Sequence, residues 1–199
     1  MWELKHPSSC LIVGPSQSGK TSLVRDMIKK RIYGRNIERV KWCYSYSAPW
    51  FLEEPSIEFI QGLPDSYEKN DLIIIDDQMH RLNEKIADLF TAASHHCGVS
   101  VILILQNLFP RAKVMRDISL NAHYIILFKN ARDVSQVNCL ARQLFPKNPK
   151  FLLDSFIKAT DKRYGYLVID LHPSTTEEFR LRENLFATEN GLLWIFRPK

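Results

Sequence analysis

Residues 14 to 21, Gly14-Pro15-Ser16-Gln17-Ser18-Gly19-Lys20-Thr21, form a complete G-x-x-x-x-G-K-[ST] element between the apolar run Leu11-Ile12-Val13 and a stretch with helical spacing. Strand, loop and helix in that order are the context in which this spacing binds phosphate. The two glycines let successive backbone N–H groups turn inward on a polyphosphate, and the helix that starts near Gly19 adds its positive dipole end. Lys20 brings a point charge to the outer phosphates, and the Thr21 hydroxyl is placed to ligate Mg²⁺. The expected nucleotide contacts therefore run from Gly14 through Thr21 to Ser22. A chain built on this element is an α/β protein with its loop at the carboxyl end of a buried strand.

Beyond the loop, Leu23, Val24, Met27, Ile28 and Ile32 repeat at helical spacing, and Gly34 stands where that helix stops. Alternation over Val40, Trp42, Tyr44 and Tyr46 predicts a strand with two unlike faces. Pro49 to Asn70 carries three prolines and little periodicity, which reads as a long connection with one short element around Ile57–Ile60. Asp71-Leu-Ile-Ile-Ile-Asp-Asp is a continuous apolar run ending in Asp76 and Asp77, as expected of a central strand buried on both faces. A helical stripe follows at Leu82, Ile86, Leu89, Phe90 and Ala93, and then a third buried strand, Val99–Leu105, that ends in Gln106-Asn107. A basic connection with Arg111, Lys113 and Arg116 leads to a strand at His123–Phe128. Asp133 with Gln136 has the form of a capping box ahead of a helix, and Asn148-Pro149 opens another. Tyr166–Leu171 is a late strand, and the segment after Pro173 has no legible assignment.

Alternating strands and helices predict a mostly parallel sheet with helices on both faces, and 199 residues predict a single domain over 1–199. Gly14, Asp76, Asp77 and Gln106 all fall at strand ends on one edge. Phosphoryl transfer to water requires neutralised phosphate oxygens and a water held in line. Asp76 is the natural partner, with Thr21, of Mg²⁺. Asp77 is placed to orient or deprotonate the water, and Gln106 to contact the terminal phosphate or that water.

The net charge of +5 suits an anionic partner without requiring one. Cys10, Cys43, Cys97 and Cys139 are widely spaced, as buried thiols of a reducing compartment would be, and His95-His96-Cys97 has no second ligand pair at metal-binding spacing. Glu3 and Lys5 interrupt any leader-like start, and no apolar run reaches the roughly 20 residues that span a bilayer, so a soluble intracellular protein without membrane contact is expected.

Several stretches together resemble the viral genome-packaging ATPases of the FtsK–HerA superfamily, in the branch of Polinton or Maverick elements, adintoviruses and poxvirus-type relatives. They are Gly14–Thr21, Ile-Ile-Ile-Asp-Asp ending at Asp77, Ser94-His-His, Ile-Leu-Gln-Asn-Leu-Phe at 104–109, Ser119-Leu-Asn-Ala-His-Tyr and Phe128-Lys-Asn-Ala-Arg-Asp. The resemblance covers about Ser9 to Arg182. It implies a P-loop NTPase with an additional-strand, RecA-like core, in which Gln106 is a polar sensor on the strand inserted between those carrying the phosphate loop and Asp76. It further implies an ATP- and Mg²⁺-dependent translocase of double-stranded DNA, a homo-oligomeric ring that fills a capsid and meets capsid proteins at its vertex, inside an infected or element-bearing host cell. An arginine from a neighbouring subunit completes the ATP site in that family, and Arg116 is the first choice here, ahead of Arg132 and Arg111. Many relatives carry glutamate where this chain has Asp77.

Three other classes share the phosphate loop. A nucleotide or nucleoside kinase would need an arginine-rich lid between strands, and a nucleotide-dependent loader or remodelling ATPase would act on another protein. A guanine-specific switch is disfavoured because Asn130 is not followed by Lys-x-Asp. The basic residues Lys147, Lys150, Lys158, Lys162 and Arg163 form either a solvated face or the lining of a DNA channel.

Overall fold

The structure, a computed structural model, describes residues 3–76, 84–108, 114–131, 134–188 and 190–198. Leu82, Asp77, Arg111, Lys113, Arg132 and Asp133, each given a part above, lie outside the described residues.

Six parallel strands form the body of one nine-stranded sheet. In chain order they are β1 (Ser9–Val13), β2 (Arg39–Tyr44), β3 (Ile57–Gln61), β4 (Asp71–Asp76), β5 (Ser100–Leu105) and β6 (Tyr124–Phe128). Three antiparallel strands extend it: β7 (Tyr166–Asp170), β8 (Leu181–Arg182) and β9 (Ile195–Phe196). The spatial order is β3-β2-β4-β5-β1-β6-β7-β8-β9. β5 therefore separates the loop-bearing β1 from β4 on both registers, Val13 against Leu105 and Asp76 against Ile104. This is the inserted strand that the family resemblance implies.

Period-two alternation sends consecutive residues of the central strands to opposite faces, so their apolar runs feed two cores. Cys10, Ile12, Ile74, Ile102 and Ile126 pack with Leu23, Val24 and Met27 of α1 (Lys20–Lys29). Leu11, Ile73, Val101, Leu103 and Ile125 face the other way. That face is covered by α2 (Glu84–Asp88), which runs through a π turn into α3 (Ser94–His96), and by α4 (Val114–Leu120), α5 (Val134–Leu144) and α6 (Pro149–Ala159). Asn148 caps α6 as read from the sequence, its side chain accepting the Phe151 N–H at 3.3 Å.

Several expectations change. β2 ends at Tyr44, and Tyr46 is an exposed residue beyond it. The connection after β2 carries the short element expected near Ile57–Ile60, the edge strand Ile57–Gln61, and in addition a 3-10 turn at Pro49–Glu53. The basic connection contains α4, whose Met115 and Ile118 are buried, so Arg116 sits on a helix and not in a loop. Gln136 Oε1 accepts the Leu108 N–H at 2.8 Å, and the capping box read from the sequence lies partly outside the described residues because Asp133 does. Cys10 and Cys43 are buried, but Cys97 and Cys139 are exposed. The unassigned tail supplies β8 and β9, held by a buried pair in which Arg182 donates to Asp170 at 2.9 Å.

The foot of β4 is fixed by charge. The Asp71 carboxylate, fully buried, accepts from Arg39 Nε at 2.6 Å and from the Glu68 N–H at 2.9 Å, with Lys41 Nζ at 3.3 Å. Burial by itself would raise its pKa, but the Glu68 N–H, Arg39 and Lys41 outweigh it and hold the carboxyl below its ordinary value. A carboxylate depressed in the folded state contributes stability above its unfolded pKa of about 3.9, and that contribution is lost as pH falls through the lower folded value. Asp71→Asn is therefore expected to destabilise the fold at neutral pH by about 1–3 kcal/mol. This lies below the roughly 3–5 kcal/mol of a fully buried broken pair because the Arg39 side chain remains 42% exposed. The variant should also lose less stability than wild type between pH 5 and pH 3. Urea titrations across that range check both points, and equal stability of the two proteins at pH 7 would contradict them.

Candidate nucleotide site

β1 ends where its chain must pass between two neighbours. The Gly14 N–H donates to Leu105 O at 3.1 Å, and a Cβ on Gly14 would lie 2.6 Å from Phe128 Cβ and 2.8 Å from Ser18 Oγ. Only glycine fits. Gly19, at the other end of the loop, has φ +101°, a left-handed conformation that favours glycine and that lets the loop enter α1. Lys20 is only 9% exposed and folds back over the loop, its Nζ donating to Gly14 O at 2.7 Å and to Pro15 O at 2.8 Å. Its charge is thereby held at the entrance of the loop.

Two clefts flank Lys20 and Thr21. The first, of about 300 Å³, is lined by Ser16, Gln17, Lys20, Thr21, Asp76 and Gln106, with an aromatic wall of Tyr44, Trp50 and Phe51 opposite. It unites six of the residues singled out from sequence, delivered by the loop, α1, β4 and the end of β5. Asp77 lies outside the described residues. Arg116 is exposed on α4 and does not line this cleft. The aromatic wall was not legible in the sequence. Phe51 stacks on Phe59 at 4.1 Å, Trp50 meets Trp42 edge-on at 5.0 Å, and Arg25 of α1 lies over Trp50 at 4.6 Å while donating to Glu53 and Glu54. These contacts strap the long connection against α1. They convert an irregular segment into one side of the site.

The second cleft, of about 610 Å³, opens on the β6–β7 side of α1 and is lined by Gly19, Thr21, Ser22, Phe128, Tyr164, Tyr166 and Phe186 among others. Tyr164 takes a left-handed φ of 60° and comes to 3.4 Å from where a Gly19 Cβ would lie, with the Arg163 guanidinium 4.9 Å from its ring centre. Tyr166 accepts the Leu185 N–H at 3.2 Å, and burial drives its pKa up to about 12, so it stays a neutral apolar wall. Sequence reasoning missed this surface because its members are separated by more than a hundred residues.

Thr21 and Asp76 present hard oxygen donors to one cleft, a donor set that suits Mg²⁺. The basic residues after the sheet are exposed, but two are already engaged: Lys162 with Glu183 at 3.2 Å and Arg163 with Tyr164.

No protein-family model matches the chain, and no curated protein matches its sequence. Among solved structures it is similar to the genome-packaging NTPase B204 of Sulfolobus turreted icosahedral virus 2. The sulfate complex matches with TM-score 0.60 and 15% identity over 96% of each chain. The AMP complex matches with TM-score 0.56 and 18% identity over 83% of this chain and 94% of that one. B204 of Sulfolobus turreted icosahedral virus, a DNA-packaging ATPase, matches with TM-score 0.59 and 14% identity over 100% of both chains. The cytoplasmic domain of the type VII secretion ATPase EccC from Thermomonospora curvata matches with TM-score 0.53 and 12% identity over 84% of this chain and 24% of that one. The chain thus has an α/β P-loop NTPase fold, shared with a viral packaging ATPase over nearly its whole length.

Proposed function

We propose that the chain hydrolyses ATP between the phosphate loop and the ends of β4 and β5, and that a homo-oligomeric ring of it uses this energy to drive double-stranded DNA into a capsid. The observation that carries the reading is the convergence of Lys20, Thr21, Asp76 and Gln106 on one cleft, with β5 inserted between β1 and β4. B204, whose fold spans the same length, supports packaging as the purpose. Thr21 and Asp76 would hold Mg²⁺, which would supply charge neutralisation to the outer phosphates. The loop N–H groups and Lys20 bind and orient the phosphates, Gln106 aligns the terminal group or its water, and Asp77 takes the water proton. The expected partners beyond DNA are capsid proteins at the vertex, in the host cell.

The base belongs in the second cleft, since the aromatic walls of Tyr164, Phe128 and Tyr166 begin at Gly19, where the loop hands over to α1. A stacked base is worth about 1–3 kcal/mol per aromatic partner. Tyr164→Ala should then raise the KM for ATP by about tenfold, with little change in kcat. Steady-state kinetics check this, and an unchanged KM would move the base elsewhere.

Hydrolysis measured with double-stranded DNA, with nucleosides and with neither separates the readings. Stimulation by DNA, abolished by chelating the metal, is the expected result. Phosphorylated nucleoside would instead establish a kinase, and turnover indifferent to both would favour a protein-remodelling ATPase.

A further inference from the structure

Both strands beside β1 end at the mouth of the phosphate loop. Val13 is in register with Leu105 of β5 and with Leu127 of β6. One step on, Gly14 lies alongside Gln106 and Phe128, and the close approach of Gly14 to Phe128 shows that the register continues past the strand end. Just past these positions come Pro15, Asn107 and Lys129. These residues line a third cleft, of about 710 Å³, together with Ser16 and Asn130. β5 thus delivers a neutral polar group to one side of the loop entrance, and β6 delivers a cation to the other.

Lys20 shows which end of a nucleotide comes here. A phosphate-loop lysine reaches the β- and γ-phosphates, and this one is bonded to Gly14 O and Pro15 O. The Pro15–Ser16 end is therefore the terminal-phosphate end, and Lys129 stands beside it, exposed and on the same chain. We propose that Lys129 is a second cation for the terminal phosphoryl group, a positioning residue that lets the site distinguish a nucleoside triphosphate from a diphosphate. Its charge acts on the one group that ADP lacks, so it favours the triphosphate-bound state and releases its hold when that group leaves. A lysine that merely solvated a strand end would treat the two nucleotides alike. Placement directly after a buried strand fixes its backbone, so that only the side chain must be ordered to engage the phosphate.

The inference rests on the ATP-site reading above, and the test separates the two. Calorimetry of the full chain with a non-hydrolysable β,γ-methylene ATP analogue and with ADP, each with Mg²⁺, is carried out on wild type, Lys129→Ala and Lys129→Arg. Lys129→Ala should weaken the analogue about tenfold, the scale of one partly solvated charge contact, while ADP affinity stays within about twofold. Lys129→Arg should recover most of the loss. An unchanged analogue affinity in Lys129→Ala, or an equal loss for analogue and ADP, would overturn the role of Lys129 while leaving the ATP site standing. Wild-type protein that bound neither nucleotide would overturn both.

Discussion

Lys20→Ala should reduce ATP turnover by at least a hundredfold, with the protein still folded. Two unit charges about 4 Å apart at an effective dielectric constant of about 20 attract by about 4 kcal/mol, which corresponds to roughly a thousandfold in an equilibrium or a rate. Lys20 meets the conditions for that larger value, being nearly buried and held by two carbonyl oxygens at the loop entrance. Those same bonds mean that its loss also touches the apo loop. Gly14 O and Pro15 O lose a donor, at a cost of about 1–3 kcal/mol, against a total stability of about 5–15 kcal/mol for a domain. Folding therefore survives while catalysis does not. Turnover and a thermal melt of the same preparation separate the two effects. An undiminished rate would remove the phosphate loop from the active site, and an unfolded variant would show that Lys20 serves the fold first.

Mixing Lys20→Ala with Arg116→Ala should restore activity that neither variant has alone. The phosphate loop and Mg²⁺ leave charge developing on the transferred phosphoryl group incompletely balanced, and an arginine supplied in trans contributes about 10³–10⁵ in rate to other phosphoryl-transfer enzymes. Arg116 is exposed on α4, anchored by the buried Met115 and Ile118, and lies outside its own subunit's cleft. In the proposed ring, the expectation is that it reaches the ATP site of a neighbouring copy. In mixed rings some interfaces combine a wild-type Lys20 half with a wild-type Arg116 half, and these turn over. Co-assembly without recovery would pass the role to Arg132 or Arg111, or to an arginine acting within its own subunit.

How far the sequence reached depended on whether a residue's role was set by its neighbours in the chain. β1, β4 and β5 are buried runs closed by polar residues, so their ends, and with them Gly14, Asp76 and Gln106, are legible as one edge from the sequence alone. The Asn148 cap was likewise local. The aromatic wall was not, because Trp50, Phe51 and Phe59 acquire meaning only when packed with Trp42 and Arg25 across the connection. α4 buries only Met115 and Ile118 along its length, too sparse a stripe to announce a helix inside a basic segment. Strands of two residues, as in β8 and β9, carry no period at all, and the Arg182–Asp170 pair that anchors them spans twelve residues of sequence. Tyr164 and Phe186 reach the loop only through the fold of the last third of the chain. Asp77 was read from sequence as the water-activating carboxylate, and its role rests on that reading.

Motion of DNA is the central claim of the proposed function, and it can be measured directly. A triplex-forming strand bound to a linear duplex is displaced by any motor that passes along the duplex. The assembled wild-type protein, given ATP and Mg²⁺, should release that strand in step with hydrolysis, and the Lys20→Ala protein should release none. Phosphate contacts act through counterion release, so displacement should also weaken steeply as salt is raised. ATP hydrolysed at the full DNA-stimulated rate with the third strand left in place would contradict the account.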